Sequence, residues 1–144
     1  MNEGEDINAG QILDLIKDMQ VVHLATMDGE TPRVRPLTMV RYGSEHFILT
    51  GTNDAKMKQL SHNDNVELCI DVKDGKGNGY LRIDGKMEVV KDPKIRSDVA
   101  LSTSYFSEYW STPEDPSYAL LRFRMRNLEY MKPGDNFATK LKLI

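Results

Sequence analysis

Residues 50–56, "TGTNDAK", end the apolar run Phe47-Ile48-Leu49 and place a lysine where a new segment begins. Thr50, Thr52, Asn53 and Asp54 are turn and cap formers, and Met57 and Leu60 follow at helical spacing. The stretch therefore reads as strand, turn and helix, with Asn53 or Asp54 as the N-cap. The first turn of a helix leaves backbone N–H groups unpaired and carries the positive end of the helix dipole, a preset anion site. Lys56 in that turn opposes the dipole unless an anion offsets it; on this stretch alone it also reads as a solvated lysine beside an ordinary cap. A second cationic group lies upstream. Arg33, Arg35 and Arg41 occupy odd positions of one extended segment and share a face if its alternation is unbroken. Two guanidiniums two residues apart can fork around one phosphate, with a solvated strand face as the competing reading. Arg122, Arg124 and Arg126 repeat the pattern, with Phe123 and Met125 facing inward. No anion-site motif accompanies them, so an exposed or charge-paired face suits them better.

Other chemistry lacks its residues. His23, His46 and His62 are isolated, without Cys or carboxylate partners at ligand spacing, so no metal is expected. Cys69, between Leu68 and Ile70, reads as a buried inert thiol. No nucleophile elbow or phosphate-binding glycine loop occurs, and "GKGNG" has neither the spacing nor the strand-then-helix context. No carboxylate pair stands out as acid and base, so catalytic residues stay unassigned. Trp110, with Tyr105, Phe106 and Tyr109, belongs to an aromatic-rich loop that could be a lid, a dimer surface or core.

The 144-residue chain is 40% hydrophobic and 28% charged, with a net charge of −3. Its mean hydropathy is −0.50. These values fit one globular domain spanning 1–144, and they argue against nucleic acid as a partner. Apolar runs are a few residues long, far short of the ~20 that span a bilayer, so no membrane association is expected. "MNEGEDIN" is acidic and polar, without a signal-peptide pattern, and the single cysteine excludes an intrachain disulfide; the expected location is cytoplasmic.

Positioning elements follow from the hydrophobic period. "NAGQILDLIKDMQ" has Ile12, Leu13, Leu15, Ile16 and Met19 at helical spacing, with Asn8 and Gln11 as a capping pair. "VVHLAT", "TPRVRPLTMVRY", "HFILT", "VELCIDV", "YLRIDGKMEVV" and "YALLRFRMRNLEYM" read as strands. "KDGKGNG" reads as a loop, and Gly85 marks a bulge or bend. Asp92-Pro93 opens a helix reaching about residue 103. Six strands with few helices inserted favour antiparallel pairing, closed into a mainly β barrel with peripheral helices.

The order of these pieces resembles the pyridoxamine 5′-phosphate oxidase-like FMN-binding split barrel, in its general-stress-protein-like branch. The likeness rests on "LAT", a glycine turn, "R-P" early in the second strand, a short third strand ending in Thr, and a lysine at the next helix. "NGYLRIDGKMEVVKDP" and "DPSYALLRFRMRNLEYM" extend it over nearly the whole chain. The resemblance implies a six-stranded antiparallel split barrel whose FMN phosphate is held by Arg35, Thr50 and Lys56, with Arg33 and Asn53 as weaker candidates. Leu37-Thr38-Met39 would run along the flavin ring, its backbone meeting the pyrimidine edge. It further implies a homodimer with flavin sites at the interface, and Trp110 becomes the candidate lid or substrate-stacking residue. The implied activity is that of a flavin-dependent oxidoreductase acting on a small molecule. The alternative is a non-catalytic binder of flavin, deazaflavin or haem, or a stress-response protein. The full-length oxidases carry Arg-Lys where this chain has Ala55-Lys56, and a basic residue where it has Val40. "PGDNFATKLKLI" does not resemble their pyridoxal-gripping C-terminal section, so their substrate is not implied.

Overall fold

The computed structural model describes residues 7–143; the acidic start, residues 1–6, and residue 144 lie outside them. Among the described residues, seven strands alternate with three helices and one 3-10 turn. The elements are α1 (Ala9–Leu13), β1 (Met19–Asp28), β2 (Thr31–Tyr42), β3 (Glu45–Gly51), α2 (Ala55–His62), β4 (Asn65–Asp74) and β5 (Gly77–Val89). After these come α3 (Pro93–Ser102), the 3-10 turn (Phe106–Glu108), β6 (Tyr118–Met131) and β7 (Thr139–Lys142). Pairing runs β3-β2-β1-β4-β5-β6-β7, and an added β3–β6 ladder closes a ring of six strands with β7 outside it. Every ladder is antiparallel. This is the expected six-stranded barrel with a seventh strand attached to its edge.

Alternation places one apolar core inside the ring. Val22 and Leu24 of β1, Leu68 of β4, Leu81 and Ile83 of β5 and Leu121 of β6 are fully buried there. A second core lies outside the ring, where Val99 and Ala100 of α3 and Phe106 pack on Val40, Phe47, Leu49 and Leu120. β3 is thus covered on both faces, which explains why "HFILT" is continuously apolar rather than alternating. Ion pairs cover another part of the outer surface. Arg122 and Arg124 of β6 contact Glu45 and Glu88 on the flanking strands, so this arginine repeat is largely neutralised within the chain.

Three local readings change. The helix expected through Met19 ends at Leu13, although its Asn8–Gln11 capping box forms. Met19 is instead paired opposite Val40, and the Asp18 carbonyl accepts from the Arg41 amide; strand pairing wins over helical period, while Ile12 and Ile16 still reach the core. The expected loop "KDGKGNG" is mostly hairpin, because Gly77 takes φ +138 and the strands pair up to Asp74↔Gly77. β7 was not foreseen: Leu128 pairs opposite Leu141, adding an apolar contact to a segment that is otherwise polar.

Gly85 marks the expected irregularity, with the β5–β6 register shifting between Asp84 and Gly85. A Cβ at Gly85 would overlap the Arg124 carbonyl of the neighbouring strand. Gly85→Ala is expected to cost ~2–4 kcal/mol, because backbone rather than a flexible side chain must move. Urea unfolding monitored by Trp110 fluorescence measures it, and an unchanged midpoint would show that the bulge accommodates a methyl group.

Candidate functional site

β2 and β3 leave their shared hairpin as a ladder but soon part. They pair only over Val40↔Phe47, Arg41↔His46 and Tyr42↔Glu45. β2 continues along β1 to Thr31, whereas β3 continues along β6 to Gly51. Between them opens a cleft of about 340 Å³. Leu37 and Thr38 line one side, and Ile48 to Gly51 with Lys56 line the other. Tyr105, Tyr109 and Trp110, from the segment after α3, form an aromatic wall. The facing backbone edges of β2 and β3 have no ladder partner along this stretch, so they can hydrogen-bond to a flat polar ligand. β2 can carry Pro32 and Pro36 for a related reason, since proline is tolerated where no ladder N–H is required.

One end of the cleft is cationic. Asp54 caps α2, its Oδ1 accepting from the Lys56 amide at 3.0 Å. The Lys56 side chain turns back toward the end of β3, where Nζ donates to Thr50 Oγ1 at 2.7 Å and contacts Asp54 Oδ1 at 2.8 Å. Lys56 is only 6% exposed, which is unusual for a lysine and requires polar partners for all its charge. Arg35, two residues before Leu37, is held in a fixed pose. Its Nη1 donates to Thr26 Oγ1 at 2.8 Å and to the Leu24 carbonyl at 3.2 Å, and Nη2 donates to Gln59 Oε1 at 2.9 Å. Thr26 Oγ1 also donates to Gln59 Oε1 at 2.6 Å, tying β1, β2 and α2 together.

The electrostatics reflect crowding of like charge around one carboxylate. Burial pushes the Arg35 guanidinium below its ordinary pKa, and the charge of Asp54 partly restores it. Burial pushes the Asp54 carboxyl upward, but hydrogen bonds from Lys56 and the charges of Lys56 and Arg35 outweigh it and leave it below the ordinary carboxylate value. The carboxylate thus sits between a guanidinium charge and a buried ammonium.

Thr50 and Lys56 are thus brought together and line the cleft with Leu37, Thr38 and Trp110, while Arg35 reaches α2 through Gln59 and is not part of the cleft's lining. Met39 is fully buried in the ring core, paired with Gln20 of β1, and does not line the cleft. Asn53 is exposed, and Arg33 turns to the rim, 3.5 Å from Asp28. Neither is gathered into the cationic cluster, because Asp54 takes the capping position and Arg33 lies farther along the exposed end of β2. Sequence reading missed Thr26, Gln59 and the pairing role of Asp54. The one available signal was Gln59 at three residues from Lys56, on the same helix face. Cys69 is half-buried, and burial with the Asp71 charge pushes its thiol up, keeping it protonated. Among the described residues, no group of three or more His, Cys, Asp or Glu could hold a metal ion. No helix there is long and apolar enough to cross a membrane.

The sequence profile of the pyridoxamine 5′-phosphate oxidase family matches residues 9–132. The chain belongs to that family. Solved structures share its fold. General stress protein 26 from Bacillus anthracis superimposes with a TM-score of 0.72 at 17% identity, over 92% of this chain and 95% of that one. A NimC/NimA family protein from Clostridium acetobutylicum gives 0.74 at 22% identity, over 92% and 91%. An FAD-binding protein from Mesorhizobium loti gives 0.65 at 19% identity, over 85% and 92%. No curated protein sequence matches the chain. In this member of the pyridoxamine 5′-phosphate oxidase family, the aromatic wall bounds one side of the split between β2 and β3.

Tyr118 supports that wall from beneath. Its ring lies 5.2 Å from Trp110 and 5.0 Å from Phe106, and Arg96 Cζ sits 4.4 Å above it. Its hydroxyl donates to the Arg96 carbonyl at 3.0 Å, while Arg96 Nη2 donates to the Tyr118 carbonyl at 2.9 Å. Burial pushes this phenol up to about 12, against an opposing effect of the Arg96 charge. An unfolded tyrosine ionises near 10, so the folded state alone retains this proton between roughly pH 10 and 12. Its contribution to stability is complete below pH 10 and is lost as pH rises through that window. Tyr118→Phe should cost about 1 kcal/mol at pH 7, by loss of one hydrogen bond, and flatten the alkaline fall in stability. Urea unfolding across pH 7 to 12 tests this; an equally steep fall in the variant would assign the titration to other tyrosines.

Proposed function

We propose that the chain binds FMN in the β2–β3 cleft and acts as a flavin-dependent oxidoreductase on a small molecule. The observation that carries this reading is the buried Lys56–Thr50 pair at one end of a cleft with an aromatic wall, on a helix that Arg35 also reaches through Gln59. A cleft of about 340 Å³ falls within the usual range for small-molecule sites. Arg35, Thr50 and Lys56 would take the phosphate, and Leu37 and Thr38 would run along the ring, the backbone of Thr38 meeting its polar edge while Met39 backs them from the core. Membership in a family that binds flavin-type cofactors supports the same assignment.

Bound flavin would supply the hydride chemistry, and the protein would supply orientation and electrostatics. The residues lining the cleft suit that division of labour. Lys56, Tyr105 and Tyr109 are its titratable side chains, and burial pushes the Tyr105 phenol up, so it remains a neutral hydrogen-bond donor. The lining includes neither a carboxylate nor a histidine. That feature favours one second reading, a non-catalytic flavin binder. NADH or NADPH oxidation by the FMN-loaded protein separates the two.

The reading includes a homodimer. Met19, Val21 and Val34, on the outer face of β1 and β2, are 46%, 59% and 66% exposed. Val21 lies opposite Thr38, the outer lip of the cleft, so a partner covering this face would also close the flavin site. Trp110 would then stack on substrate or pack at the interface. The single cysteine suits a reducing cytoplasm.

Lys56→Ala is expected to weaken FMN binding by ~10- to 100-fold, the loss of one buried charge-assisted contact of ~1.5–3 kcal/mol. Riboflavin, which lacks the phosphate, should bind more weakly and respond little to the substitution. Equal losses for both ligands in a fluorescence titration would remove Lys56 from the phosphate site. Light scattering with FMN present should give twice the 16.4 kDa chain mass at micromolar concentration; a single-chain mass would contradict the dimer.

A further inference from the structure

We propose that Asp54 is a resident counter-ion of the phosphate site and sets its affinity: its carboxylate occupies Lys56 until an incoming phosphate displaces it. The inference rests on the FMN reading and adds a residue that works against tight binding.

The argument begins with donor count. An ammonium has three N–H donors. Lys56 directs one to Thr50 Oγ1 at 2.7 Å and one to Asp54 Oδ1 at 2.8 Å, leaving one for a ligand. Because Lys56 is only 6% exposed, water can do little to replace either contact. A phosphate that draws two donors from Lys56 must therefore detach Asp54 or Thr50, and the carboxylate is the one it repels.

Charge gives the same direction. Arg35, Lys56 and Asp54 together carry one net positive charge, whereas a phosphate monoester carries about −1.5 to −2 at pH 7. Without the carboxylate the site would hold two cations and match the dianion. Asp54 responds to both cations, as its depressed carboxyl pKa indicates. The capping hydrogen bond itself does not require a negative charge. Asp54 caps α2 through Oδ1, and asparagine or serine caps equally well. Beyond the capping hydrogen bond, which a neutral side chain also makes, the carboxylate adds a favourable interaction with the helix dipole and with Lys56, and it competes there with an incoming anion. The consequence is an exchangeable flavin, taken up and released rather than permanently held.

The test compares the unmodified chain with Asp54→Asn and Asp54→Ser, two neutral caps of different size, by titration with FMN and riboflavin. Both variants should bind FMN ~10-fold more tightly, equivalent to ~1.4 kcal/mol, with riboflavin affinity unchanged. Stopped-flow dilution should show slower FMN release. Unchanged or weaker FMN binding in both variants overturns the inference. If the unmodified chain binds FMN and riboflavin equally, the phosphate reading of the cleft fails, and inorganic pyrophosphate becomes the deciding probe. Half-maximal thermal protection of the variants at ~10-fold lower pyrophosphate would still support the counter-ion, and equal concentrations would overturn it.

Discussion

The parting of β2 from β3 after three residue pairs is the constraint on which the site depends. A fully laddered barrel would satisfy every backbone group between these strands and leave no opening beside Thr50. Two different commitments hold the strands apart. β2 is drawn along β1 as far as Asp28↔Thr31, and β3 is drawn along β6 as far as Gly51↔Tyr118. Cores on both faces of β3 make the second commitment strong, since Phe47 and Ile48 are each 1% exposed on opposite sides of the sheet. The cleft is a product of this competition, and it is stabilised by packing well away from any ligand.

Beside that opening, charge is held in fixed positions. Arg35 cannot swing freely, because three acceptors from β1 and α2 hold its guanidinium. Lys56 is fixed between the end of β3 and the cap of its own helix. Such preorganisation reduces the entropy lost on binding, which usually offsets much of the gain from a charged contact. The same rigidity explains how a lysine can sit in the first turn of a helix against the dipole. Asp54 offsets the ammonium charge in the unliganded chain, and the open backbone edges nearby complete a polar surface for a planar ligand.

The barrel class was legible because strand periods and turn residues are local signals, and Gly85 announced its bulge. The proposal for Thr50 and Lys56 starts from cap chemistry in the sequence, and family resemblance adds Arg35 from a distant strand. The Arg35–Thr26–Gln59 network was not, since Thr26 reaches Arg35 only through the β1–β2 register and Gln59 only through the docking angle of α2. The first helix was overextended because Ile16 keeps the helical period while lying in a turn that feeds β1. β7 escaped notice because a short segment such as "TKLK" has little apolar content of its own and gains its order from β6. Local chemistry survived translation into structure; features created by long-range pairing did not show in the sequence.

The central claim is that the cationic end of the split is a phosphate site, and a crystal structure of the FMN complex tests it most directly. The account expects phosphate oxygens about 2.7–3.0 Å from Arg35 Nη, Thr50 Oγ1 and Lys56 Nζ, with the ring running toward Leu37 and Thr38. A flavin whose phosphate lies in solvent or on another face of the barrel, with Lys56 still closed on Asp54 and Thr50, would contradict it.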